Sequence, residues 1–192
     1  EFFHRYILGV YDLYERLTSK YPDVLFESCA GGGGRFDAGM LYYAPQAWAS
    51  DDTDAVERLK IQYGSSFVYP LYSIGSHVSD IPNHQTLRRT SLKARGDAAY
   101  FGTFGYELDP NKMTDEEIAE VKIQIETYKS HRTLVRNGDF FRLISPFESN
   151  ETAWMVVSKD RTEAFVGWYQ ALATPNPKKI QTLKLSGLDA AS

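Results

Sequence analysis

Apolar residues open the chain at helical spacing. Tyr6, Leu8, Val10, Tyr11, Leu13, Tyr14 and Leu17 predict a helix that ends near Tyr21-Pro22. No Ser, Thr, Asp or Asn caps its start and the first residue is not Met, so a longer upstream stretch is expected. Val24-Leu25-Phe26-Glu27 then forms a short apolar run feeding a glycine tract, the pattern of a buried parallel strand. Gln46-Ala47-Trp48 predicts a second strand, followed by an acidic stretch and a helix over Ala55 to Tyr63. Ser66-Phe67-Val68-Tyr69 predicts a third, with Gly75-Ser76-His77-Val78 in the loop after it and a helix over Thr90 to Asp97. Tyr100 to Phe104 predicts a fourth, ahead of a loop from Gly105 to Pro110. The helix from Thr114 to Val135 is the clearest: Thr114-Asp115-Glu116-Glu117 is a capping box, and Ile118, Val121, Ile125 and Tyr128 share one face.

After Asn137-Gly138 the pattern changes to short alternating strands: Phe140 to Leu143, Ala153 to Ser158, Ala164 to Tyr169 and Ile180 to Leu185. Four βα units followed by strands alone predict an α/β fold, a parallel sheet with right-handed crossovers and then an antiparallel β domain. Ligands of such sheets gather at the carboxyl ends of the strands, where both the glycine tract and the acidic stretch fall.

At 192 residues the chain is long enough to bury a core, and its 43% hydrophobic and 24% charged content is that of a globular protein. Its 13 Tyr, 11 Phe and 3 Trp suit either core packing or stacking against sugars. A net charge of −4 without a long Lys/Arg cluster supplies no footprint for phosphates, which argues against a nucleic-acid partner. No apolar run reaches the roughly 18 residues of a membrane span, and no leader is visible. A single cysteine, Cys29, forms no internal disulfide, so a cytoplasmic location is expected.

Three features carry candidate chemistry. Asp51, Asp52 and Asp54 lie between a strand end and a helix start, where repulsion and partial burial are expected to raise the pKa of at least one and leave it able to donate a proton. Helix capping explains the same residues, and one can cap while another catalyses. The tract Gly31-Gly32-Gly33-Gly34 lets backbone approach a ligand closely, or is simply a flexible loop. It lacks the Lys-Ser/Thr of a phosphate loop and the later acidic residue of a dinucleotide fingerprint. Nothing in the sequence ties Cys29 to His77 or His84 as a nucleophile and base, and the four histidines have no metal-ligand spacing, so neither a metal nor a cofactor is expected. His77 is the histidine to follow.

Taken together, Leu25 to Asp37 (LFESCAGGGGRFD) and Trp48 to Asp54 (WASDDTD) resemble the α-galactosidases of glycoside hydrolase family thirty-six. The resemblance continues through Arg58 to Gly64, Gly75 to Val78, Pro82 to Gln85, Gly105 to Leu108 and Ser145 to Glu148. It implies the second half of a TIM (β/α)8 barrel, strands five to eight, over residues 1–136. The start of an antiparallel, sandwich-like β domain would occupy 137–192. It further implies removal of terminal α-linked galactose with retention, from oligosaccharides such as raffinose and melibiose. By resemblance Asp51 is the general acid/base, with Asp52 as the fallback. Cys29, Gly31 and Gly32 line the galactose subsite and Trp48 walls it.

The family's nucleophile is an Asp following Lys-Trp, and no Lys-Trp-Asp occurs here. The expectation is therefore a fragment of a longer enzyme, inactive alone, whose partner is the missing N-terminal half of the barrel. The family also implies a homo-oligomer. Two alternatives stand beside hydrolysis: galactosyl transfer of the raffinose or stachyose synthase type, and a non-catalytic carbohydrate-binding or assembly module.

Overall fold

Parallel strands lie side by side in chain order in the computed structural model, which describes residues 1–176 and 180–189. β1 (Glu27–Ser28) pairs with β2 (Gln46–Ala47), β3 (Gly75–Ser79) pairs with β4 (Thr103–Glu107), and an Ala47–Ile74 bridge joins the two pairs. A helix precedes or separates each strand: α1 (Phe2–Lys20), α2 (Ala38–Tyr43), α3 (Ala55–Ser65) and α4 (Leu92–Ala99), with α5 (Asp115–Asn137) after β4. The helices start where side chains replace missing backbone partners. Asp37 caps α2, Asp54 caps α3, Ser91 caps α4, and Thr114 with Glu117 closes a capping box on α5. Tyr11 of α1 donates to the capping carboxylate Asp37 at 2.7 Å, which ties α1 to α2.

β5 (Asp139–Ile144), β6 (Glu151–Val157) and β7 (Ala164–Gln170) form an antiparallel sheet with β6 in the centre. β6 is buried from Thr152 to Val157 because both its faces are covered. Trp154 and Val156 join Leu59 and Tyr63 of α3, Ala98 of α4, Val135 of α5 and Phe101 in one core. The sheet thus packs onto the helices that back the parallel strands. Gly96 of α4 lets α5 approach closely, since a β-carbon there would stand 2.6 Å from the Gln124 side chain.

Several expected strands are displaced. The first is confined to Glu27–Ser28, and Val24 and Leu25 are exposed. Ser66 to Tyr69 is a turn, not a strand: Phe67 is exposed and lies under the Arg142 guanidinium, 4.1 Å from its ring centroid. The strand is instead Gly75–Ser79, taken from sequence as a loop. Its small residues are required by packing, because a β-carbon at Gly75 would stand 2.7 Å from the Trp48 ring. The fourth strand begins at Thr103 rather than Tyr100, since Tyr100 and Phe101 are buried in the helical core. α2 was not expected. Among the described residues Ile180 to Leu185 forms no strand, and Ile180 is exposed. Residues 177–179 and 190–192 of the expected β domain lie outside the described residues. Among the described residues no helix is long and apolar enough to cross a membrane.

Candidate active site

The carboxyl ends of β1 and β2 bring the glycine tract against the acidic loop. Gly31, Gly32 and Gly33 all have positive φ (59°, 65° and 97°), a turn that a side chain resists. Space enforces the same choice. A β-carbon at Gly32 would meet the Asp51 amide nitrogen at 2.4 Å and its Cγ at 3.0 Å, and one at Gly33 would meet the Ala49 carbonyl oxygen at 2.4 Å. The Asp51 carboxyl therefore lies directly on the glycine turn. Gly31 is exposed at that turn with no atom within 4 Å of a β-carbon placed on it. Cys29, immediately after β1, is an exposed free thiol whose carbonyl accepts from Arg35. Trp48 extends the β1–β2 pairing by donating from its backbone to the Ser28 carbonyl at 2.9 Å.

Hydrogen bonds separate the three aspartates. Asp52 accepts from the Asp54 amide at 3.0 Å, while its own amide donates to the Ser50 hydroxyl at 3.1 Å. Asp54 is buried, accepts from the Val56 and Glu57 amides at the start of α3, and bonds the Thr86 hydroxyl and the Arg88 guanidinium. Burial pushes the Asp54 carboxyl up, but Thr86, the two amides and Arg88 outweigh it and hold it below its ordinary value. The cluster's expected upward shift is thus reversed at Asp54, which caps. The Asp51 side chain is exposed and accepts no hydrogen bond among the described residues, although its carbonyl accepts from Gln85 at 3.2 Å. Of the three aspartates, Asp51 is the one whose carboxylate has no hydrogen-bond partner among the described residues.

A second layer supports this loop. His77 lies on β3, not in a loop, and its ring is 4.7 Å from that of Trp48. Its Nδ1 is 3.7 Å from Glu107 of β4. Burial lowers the His77 pKa despite the opposing Glu107 and Glu27, with Arg58 reinforcing the fall, so the ring favours its neutral form. Arg58 of α3 is buried beneath Trp48, 4.4 Å from its ring centroid. Burial lowers its pKa to about 10, which leaves it charged at neutral pH. Sequence reasoning assigned no role to Arg58, Gln85 or Glu107. The available signal was Arg58 itself, a cation on the same face of α3 as Leu59, Gln62 and Tyr63. Among the described residues no group of three or more His, Cys, Asp or Glu side chains is arranged to hold a metal ion.

The melibiase family model matches residues 1–138, and the glycosyl hydrolase family 36 C-terminal domain matches residues 151–192. The α-galactosidase AgaA of Geobacillus stearothermophilus is 57% identical over 187 residues, 97% of this chain and 26% of that protein. The α-galactosidase Mel36A of Lactobacillus acidophilus is 51% identical over 98% of this chain and 26% of that protein. A crystal structure of a variant of AgaA in complex with raffinose superimposes with a TM-score of 0.95 at 56% identity, covering 98% of this chain and 26% of that one. The galactosidase domain of the α-galactosidase–sucrose kinase AgaSK gives 0.94 at 52% identity, covering 97% of this chain and 26% of that one. The chain spans about a quarter of the length of these relatives. Both family matches and the superposition over 98% of this chain lead to one assignment: the chain belongs to the melibiases of glycosyl hydrolase family 36.

Proposed function

We propose that this chain is the acid/base-bearing part of a retaining α-galactosidase acting on oligosaccharides such as raffinose and melibiose. In this reading β1 to β4 are strands five to eight of a (β/α)8 barrel within residues 1–136, and residues 137–192 begin the C-terminal β domain. Asp51 protonates the departing glycosidic oxygen and, as its carboxylate, later takes a proton from the attacking water. Cys29 and the backbone of Gly31 and Gly32 line the galactose subsite beside Trp48. The nucleophile comes from a part of the enzyme outside this chain, about 5 Å from Asp51 as retention requires.

The observation that carries this reading is the division of labour among the aspartates. Asp52 and Asp54 are committed to the loop and the helix cap, whereas the Asp51 carboxyl is free and rests on the glycine turn. Alone, the chain offers a proton donor without a nucleophile and leaves the open edges of a half-barrel unpaired. The test follows melibiose in the full-length protein by NMR. α-Galactose as the first-formed anomer supports the reading, and β-galactose or no release refutes it. The 192-residue chain by itself is expected to release none.

A further inference from the structure

Arg58 is 2% exposed, yet no carboxylate pairs with it among the described residues. A buried cation is costly to keep unless other groups compensate it, and the compensating groups here all belong to the candidate site. Its Nη2 donates to the Ser50 carbonyl at 2.7 Å, one peptide before Asp51. Its Nη1 donates to the Gly75 carbonyl of β3 at 3.2 Å. Its guanidinium carbon lies 4.4 Å from the centroid of the Trp48 ring, and its Nε has no hydrogen-bond partner among the described residues. Holding α3 does not require this cation, because Asp54 caps the helix and Leu59 and Tyr63 anchor it in the core.

We propose that Arg58 is a positioning residue for the proton-donating step: it clamps the peptide before Asp51 to β3 and supports the Trp48 ring from behind. The inference rests on the reading of Asp51 as the acid/base. The planar guanidinium reaches both carbonyls and the aromatic face at once. A lysine ammonium is a compact point charge without that fork and stacks less well. Without the clamp the Ser50-Asp51 peptide loses its tie to β3, and a displacement of about 1 Å of a catalytic group lowers the rate roughly 10²-fold. The defect would fall on substrates that need the proton. Nitrophenolate departs without one, whereas the glucose hydroxyl oxygen of melibiose must be protonated as it leaves.

The experiment places Arg58→Lys and Arg58→Gln in the full-length protein. It compares kcat/KM, which reports the steps up to the galactosyl-enzyme and so isolates proton donation to the leaving group, on melibiose and on p-nitrophenyl α-galactoside, with thermal melts alongside. The expected result is a fall in kcat/KM on melibiose of about 10- to 100-fold for Arg58→Gln. The nitrophenyl substrate should change only a few-fold, and Arg58→Lys should fall between Arg58→Gln and the parent. Equal losses of kcat/KM on both substrates, unchanged kcat/KM on both, or unfolding of both variants would overturn the assignment and mark Arg58 as structural. A parent protein inactive on both substrates would instead refute the α-galactosidase reading and this inference with it.

Discussion

Replacing Gly32 by Ala tests the contact on which the site is built. The backbone there has φ of 65°, where an L-residue costs about 1–2 kcal/mol. The new β-carbon would lie 2.4 Å from the Asp51 amide nitrogen, against an ordinary contact of 3.4–4 Å, so the Asp51 backbone must retreat by about 1 Å. Displacement of a proton donor on that scale costs roughly 10²-fold in rate, or about 2.7 kcal/mol of barrier. Gly31→Ala is the matched control. Its φ of 59° imposes the same strain, but its β-carbon meets nothing within 4 Å. The assay is the ratio of kcat/KM on melibiose to that on p-nitrophenyl α-galactoside in the full-length protein. Both substrates carry the same galactose, so changes in galactose binding cancel in the ratio. It should fall roughly tenfold or more for Gly32→Ala and hold for Gly31→Ala. Equal ratios for the two variants would refute the claim that Gly32 holds Asp51 in place.

Three further outcomes follow from the same structure. Asp54→Ala removes a helix cap and the partner of Thr86 and Arg88, and should lower stability to urea by about 2–3 kcal/mol. The solvent reaching Arg88 keeps the loss below that of a fully buried pair. The Asp54 carboxyl is held below its ordinary value, so its contribution is complete above the unfolded pKa of about 3.9 and is lost as pH falls through the lower folded value. An Asp54→Ala stability profile parallel to that of the parent in this acid window would contradict the assignment. His77 has a depressed pKa, so protonation opposes folding, and stability should decline as pH falls below about 6.5. His77→Gln should flatten that slope, as read by thermal melts between about pH 7 and pH 5. Gly75→Ala places a β-carbon 2.7 Å from the Trp48 ring and should raise KM for galactosides several-fold by tilting that wall. An unchanged KM would remove Trp48 from the subsite.

Local chemistry was the most legible layer of the sequence. The Thr114 capping box, the cap at the acidic loop and the helix over α3 follow from side chains that act within one turn, and the structure places them accordingly. Strand positions were harder to read. Phe67 and Val68 are apolar but exposed, while β3 is built from Gly75, Ser76, His77, Val78 and Ser79, which carry little strand signal. Gly75 and Ser76 are small because Trp48 crosses Gly75 and because Ser76 hydrogen-bonds Gln62 of α3 at 2.9 Å, contacts between distant parts of the chain. The acidic cluster was visible, but spacing treats its members alike. What separates them is tertiary: Thr86 and Arg88 reach Asp54 from more than thirty residues away, and Gly32 reaches Asp51 from the glycine turn after β1. Arg58 was hidden for the same reason, since its partners Ser50 and Gly75 meet only when β2 and β3 lie side by side.

The most direct measurement is the product made by Asp51→Ala in the full-length protein when azide is supplied. Azide needs no base, so it should restore turnover of p-nitrophenyl α-galactoside and yield α-galactosyl azide, while melibiose hydrolysis stays depressed by about 10²- to 10⁴-fold. A β-configured azide would place the nucleophile at position 51. Melibiose hydrolysis undiminished by the substitution would remove the proton donor from that position altogether.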